Sequence, residues 1–131
     1  MPMTESFEKR TDARAITDVA LEIFDMDTHE LVGVGRLLNL SATGASLETI
    51  SDLGARDDLF VRMLLHRRMV AMPANVLWEK RSASVREYGI RFGPYSDEMQ
   101  ETVRSFVKEN IDFYEDSDPS LSPPPDAVRK P

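Results

Sequence analysis

The chain has no cysteine. Disulfides, thiolate metal sites and a cysteine nucleophile are therefore excluded. It has two histidines, His29 and His66. They lie far apart in turn-like segments without a partner at ligand spacing, so they read as solvated side chains rather than metal ligands. No apolar run approaches the roughly 18 residues that a membrane-spanning helix needs. The first residues, Met1-Pro2-Met3-Thr4-Glu5-Ser6, lack the basic-then-apolar pattern of a secretory signal. These absences point to a cytoplasmic protein with no direct membrane insertion. Positive charge is scarce too: 16 Lys and Arg stand against 23 Asp and Glu, for a net charge of −7. Broad binding to DNA or RNA draws its affinity from a large basic field, which this composition does not supply. Nor is there a phosphate-cradling Walker loop. Gly33-x-Gly35 lacks the third glycine of a dinucleotide fingerprint. The acidic turn Asp25-Met26-Asp27 lacks the spacing and closing glutamate of a calcium loop. No catalytic constellation stands out, so the chain reads as a binding protein, not an enzyme, and no cofactor is called for.

At 131 residues, 41% of them hydrophobic, the chain has material for one domain plus tails. Residues 1–14 are polar and aperiodic, an arm in which Lys9, Arg10 and Arg14 interrupt an acidic trend. From Ile16 to Phe24 apolar and polar residues alternate, as in a half-buried strand. Leu31 to Leu38 reads as a second strand, in which Gly33 and Gly35 suggest a bulge or a close backbone approach. Ala45 to Glu48 starts a third. Leu59–Leu65 and Met69–Trp78 are apolar runs joined by a hairpin at His66-Arg67-Arg68, and Pro73 makes the second an edge strand or one that starts or kinks there. Tyr88 to Phe92 is a short strand. Val76 and Trp78 share a strand face on this reading, which places Trp78 in the core. Helical periodicity begins only at Ser96, a candidate N-cap. Asp97 and Glu98 follow in the first turn, with Met99, Val103, Phe106, Val107 and Ile111 on one stripe. Several short strands followed by one amphipathic helix predict a mainly β fold: a small antiparallel barrel whose opening the C-terminal α-helix covers. From Glu115 the chain is acidic and then proline-rich, a composition that reads as disordered. The organisation expected is thus an arm at 1–7, a domain at 8–114 and a tail at 115–131.

Two short motifs carry chemistry. Arg10-Thr11-Asp12-Ala13-Arg14 is an RxxxR. Arginine offers a permanent charge and a planar fork that can pair with a guanine edge, stack on a base or clamp a phosphate. Read alone, the pair also fits two solvated charges. Asn39-Leu40-Ser41-Ala42-Thr43-Gly44 is an NxSxxG between two strands. Asn39 and Ser41 can turn the chain by bonding its backbone, and Gly44 permits a positive φ or the close approach of a ligand. Read alone, the segment also fits an ordinary connecting turn.

Together and in this order, the two motifs resemble the PilZ family. Gly35-Arg36-Leu37-Leu38 and Gly44-Ala45-Ser46-Leu47 around the bend, Val76-Leu77-Trp78, and Tyr88-Gly89-Ile90-Arg91-Phe92 are similar to it as well. The resemblance spans approximately residues 8–111. It implies a six-stranded β-barrel with a C-terminal helix, and a bacterial receptor for the second messenger cyclic di-GMP. Arg10, Arg14, Asn39, Ser41 and Gly44 fill the family's ligand-binding positions. In the family the residue before RxxxR influences whether one or two stacked nucleotides bind, and Lys9 there implies a two-molecule site. Signalling would pass to a protein partner, in control of motility, exopolysaccharide synthesis or virulence. The alternative is a PilZ-like adaptor that works without ligand.

Overall fold

The computed structural model describes residues 19–54, 56, 58–109 and 127–129. Six strands form a closed antiparallel barrel: β1 (Ala20–Asp25), β2 (Leu31–Leu40), β3 (Gly44–Thr49), β4 (Leu59–Leu65), β5 (Arg68–Arg81) and β6 (Arg86–Phe92). The order around the barrel is β4-β1-β2-β3-β6-β5, and pairing of β4 with β5 closes it. Helix α1 (Asp97–Glu109) follows, and a two-residue strand β7 (Val128–Arg129) pairs with β5. The expected mainly β barrel with one C-terminal helix is the fold observed.

The alternation read from the sequence becomes the wall of the core. Leu21 and Ile23 of β1, Leu37 and Leu40 of β2, Leu47 of β3, and Val61, Met63 and Leu65 of β4 all point inward and are buried. Tyr88 and Ile90 of β6 join them, while Glu22, Arg62 and Arg36 stay outside. Closing the sheet removes the edges that an open sheet of this size would expose.

Two glycines on β2 let the wall curve. A Cβ on Gly35 would stand 2.7 Å from the Glu48 carbonyl oxygen, and one on Gly33 2.7 Å from Ser51 Oγ. The β1–β2 register shifts between Ile23 and Phe24, opposite this stretch. Pro73 sits inside β5 rather than at its start. The Pro73 carbonyl accepts from Gly93 N at 2.8 Å, just beyond the end of β6. The proline nitrogen faces the same way, away from β4, so the β4–β5 ladder loses no bond there.

The β4–β5 hairpin turns on His66 and Arg67, both at positive φ (49° and 66°). Two left-handed residues in a two-residue loop match the twist of the strands they join. The turn is held to the helix. The His66 ring lies 5.1 Å from that of Phe106, and His66 Nε2 is 3.1 Å from Glu109 Oε1. His66 is thus a clasp between hairpin and helix, not simply a solvated side chain. Helix α1 is capped as expected: Met99 N donates to Ser96 Oγ at 3.2 Å. Val103 and Phe106 are buried in the core cluster, with Met99 and Val107 packed against it. Ile111 lies outside the described residues. No described helix is long and apolar enough to cross a membrane.

A buried polar tie fixes the loop before β4. Leu53 N donates to the Tyr88 hydroxyl at 2.9 Å, and both residues are fully buried. Burial raises the Tyr88 pKa. Replacing Tyr88 with phenylalanine leaves the Leu53 N–H without a partner inside the protein, at a cost of about 1–3 kcal/mol. The expected result is a fall in unfolding midpoint of roughly 4–8 °C per kcal/mol, read by calorimetry.

The sequence assigned 115–131 to a disordered tail. Within it, Val128 and Arg129 pair with Glu79 and Trp78. Most of that segment lies outside the described residues.

Candidate functional site

The NxSxxG bend is a tight turn built by its own side chains. Ser41 N donates to the Gly44 carbonyl at 2.8 Å, closing the turn. Ser41 Oγ accepts from Thr43 N and Gly44 N, each at 3.2 Å. From outside, Phe92 N donates to the Thr43 carbonyl at 2.8 Å, and the Tyr95 hydroxyl donates to the Ala42 carbonyl at 2.7 Å. Burial raises the Tyr95 pKa to about 12, so it remains a donor across the physiological range. Gly44 is buried, and no described glycine has a positive φ. Of the two uses the sequence allowed for Gly44, the left-handed turn is therefore not the one taken.

Asn39 reaches the surface through a bulge. Leu37 pairs with Leu47 on the inner face, but the register then shifts, and Asn39 pairs with Ser46. The extra residue lets Leu37, Leu38 and Leu40 all be buried while Asn39 turns outward. Asn39 Nδ2 donates to Ser46 Oγ at 3.0 Å. Without the bulge, period-two alternation would put Asn39 on the face of Leu37.

A second bulge does the same for Trp78. Val76 pairs with Ile90 inside the barrel, the register shifts, and Trp78 pairs with Gly89. Val76 and Trp78 therefore lie on opposite faces, contrary to the strict alternation read from the sequence. Trp78 is buried, at 3% exposure, yet it is not part of the core cluster. Its indole lies on the outer face of Gly89, with Nε1 2.1 Å from where a Cβ would stand. Gly89 in turn pairs with Ser46.

The two bulges thus produce one outward row across four strands, Asn39–Ser46–Gly89–Trp78. It is about 14 Å long at ordinary strand spacing. Polar groups stand at one end, and at the other the indole covers Gly89. Beside it runs a second row, Gly44–Arg91–Asn75. Arg91 is exposed and has no acidic partner among the described residues. It also borders a cavity of about 540 Å³ next to the bend, whose walls include Ala42, Thr43, Tyr95 and Arg104. On the other side, Arg36 Nη2 lies 2.7 Å from Glu48 Oε2 and closes the trough with an ion pair. The geometry offers hydrogen-bonding groups for a base edge or phosphate at the Asn39 end, and the Trp78 ring, buried against Gly89, backs the other end of the row.

Asn39, Ser41 and Gly44 are thus brought to one end of this face. Lys9, Arg10 and Arg14 lie outside the described residues, but the point where their segment joins the barrel is fixed. Leu37 N donates to the Val19 carbonyl at 2.8 Å, two residues from Asn39. Arg14 lies five positions before Val19, a reach of at most about 18 Å. Trp78 as an outer wall over Gly89 and Arg91 as an exposed cation were not identified as site residues from sequence. Gly89 between two inward-facing residues was the one available signal, since an interior strand glycine marks a close approach.

No curated protein sequence matches the chain. Among solved structures, the PilZ domain of CeSA from a cellulose-synthesizing bacterium aligns at 14% identity. The alignment covers 65% of this chain and 84% of that one, with a TM-score of 0.43. The family model described as PilZ domain matches residues 8–109, which contain both motifs and all six barrel strands. The chain belongs to the PilZ family.

Proposed function

We propose that this chain is a receptor for cyclic di-GMP, with no catalytic role, acting in the bacterial cytoplasm. The observation that carries the reading is the outward row Asn39–Ser46–Gly89–Trp78, next to the point where the arm bearing RxxxR enters. In this reading Arg10 and Arg14 supply forks for guanine edges and phosphates, while Asn39 and Ser41 supply the fixed polar end. Gly44 lets the nucleotide approach the backbone. The ordering cost of the arm is offset by charge-assisted bonds, which a cyclic dinucleotide with two phosphates provides. Lys9 extends the reading to two stacked nucleotides, an assignment that a one-to-one binding ratio removes.

Output follows from the arm. Ligand contacts that exist only with the arm docked shift its population towards that state, changing the surface shown to a protein partner. Trp78 gives a direct test, since the chain has one tryptophan. Titration with cyclic di-GMP should change its fluorescence saturably, and the change should vanish in Asn39→Ala. An unchanged spectrum at saturation would remove the indole from the site. Normal partner binding by an Arg14 variant that cannot bind nucleotide would favour the adaptor reading.

A further inference from the structure

Helix α1 sorts its charge by side. Glu98 and Glu101 line a cavity that they share with His66 and Arg68 of the β4–β5 hairpin. Gln100 and Arg104 line a different one, the cavity of about 540 Å³ beside the NxSxxG bend. Ala42 and Thr43 of the bend form part of its wall, and Arg91 of β6 lines it together with Arg104. No acidic side chain among the described residues does. On a chain of net charge −7, two guanidinium groups at one cavity are a local concentration of positive charge. Both arginines are exposed, and Arg91 carries no ion pair among the described residues.

Hydrogen bonds tie the walls together. The Tyr95 hydroxyl donates to the Ala42 carbonyl at 2.7 Å. The Tyr95 carbonyl accepts from Gln100 Nε2 at 2.9 Å, and Gln100 Oε1 accepts from Arg104 Nη2 at 3.1 Å. One chain of bonds thus runs from the bend through Tyr95 to the Arg104 guanidinium, which keeps further donors to offer. Burial raises the Tyr95 pKa and the Arg104 charge acts the other way, which places that charge close to Tyr95. Arg91 is positioned by the sheet. It pairs with Gly44, in the row next to Ser46 and Gly89. The two rows are about 7 Å apart at ordinary strand rise. Two guanidinium forks at one cavity suit a phosphate, whose oxygens accept several charge-assisted bonds at once. Resting on the receptor reading above, we propose that this cavity is a phosphate subsite of the nucleotide site, in which Arg91 and Arg104 hold one phosphate of cyclic di-GMP. The phosphate then links the barrel wall to helix α1, so the helix as well as the arm registers occupancy.

The test compares the full chain with Arg91→Gln, Arg104→Gln and Arg68→Gln. Each change removes one exposed cation, and Arg68 belongs to the other cavity, so it controls for net charge. An unchanged unfolding midpoint verifies each fold. Titration calorimetry with cyclic di-GMP should show binding at least about tenfold weaker in Arg91→Gln and in Arg104→Gln, the loss expected of a charge-assisted contact. Arg68→Gln should change binding by less than about twofold, because salt screens a distant exposed charge. In the parent chain, cyclic di-GMP should shift the Nε–H resonances of both Arg91 and Arg104. The proposal is overturned if either Arg91→Gln or Arg104→Gln binds like the parent, or if Arg68→Gln loses as much as they do. It is also overturned if inorganic phosphate alone moves the two resonances while cyclic di-GMP leaves them in place, because the cavity would then serve a free anion. In each of these cases the parent still binds the nucleotide and the receptor reading stands. A parent chain that binds no cyclic di-GMP removes that reading and this one together.

Discussion

Replacing Arg14 with alanine should weaken cyclic di-GMP binding at least about 100-fold, or about 2.7 kcal/mol, and leave the unfolding midpoint nearly unchanged. Hydrogen bonds to charged groups contribute about 1.5–3 kcal/mol each, and an arginine fork makes two at once. The same loss is expected for Arg10→Ala. The described strands that build the core begin at Ala20, after both residues in sequence, and changes away from core packing typically move stability by less than about 0.5 kcal/mol. Arg14→Lys should recover little of the binding, because a point charge cannot reproduce the planar fork. Titration calorimetry paired with thermal unfolding separates the two effects. A large drop in stability with any of these changes would make the arginines structural and count against the reading.

Gly89→Ala should damage both the fold and the site. The new Cβ would stand 2.1 Å from Trp78 Nε1 and 2.3 Å from Trp78 Cε2. Those atoms belong to a rigid, almost fully buried ring, not to the far end of a flexible chain. Strand and indole must both move, at a cost of about 1–3 kcal/mol, the usual range for overpacking. Chemical denaturation should show that loss, and tryptophan fluorescence should show the ring displaced. The clash is specific to the pair, so Gly89→Ala made in a Trp78→Ala background should cost much less. Additive losses in the double variant would mean that Gly89 serves the barrel for some reason other than the indole.

The two predictions draw on different kinds of information. RxxxR and NxSxxG were legible because they are local strings, and each residue type has a chemistry that can be named without coordinates. The barrel was legible for a related reason. Alternation in Ile16–Phe24, the apolar runs on either side of His66 and the 3.6-residue stripe from Met99 are periodic signals carried by the chain itself. The Leu59–Leu65 strand was read with the bounds it has in the structure. The Ser96 cap also holds, through the Met99 N–H.

What was not legible depends on pairing across the sheet. A bulge inserts one residue against a partner strand, and nothing in Val76-Leu77-Trp78 marks it locally. Period-two reading therefore put Trp78 in the core, whereas the register puts it on the outer face of Gly89. The same limit hid why Asn39 faces outward one residue after buried Leu38. Arg91 joins Gly44 only through the β3–β6 register. β7 escaped notice because two residues carry no periodicity, and a proline-rich acidic segment precedes them. Both bulges lie on strands flanking the β3–β6 pair, and both turn a side chain towards the same face. Bulges beside binding sites are the usual means of re-aiming a residue without disturbing the core behind it.

The central claim is that this face, completed by the arginine arm, takes cyclic di-GMP. Isothermal titration of the purified chain with cyclic di-GMP, with GTP as the control, tests it most directly. The account predicts saturable, selective binding at micromolar concentrations, with a molar ratio that also decides the Lys9 question. No heat with cyclic di-GMP, or equal heat with GTP, would contradict it and leave a PilZ barrel that works through protein contacts alone.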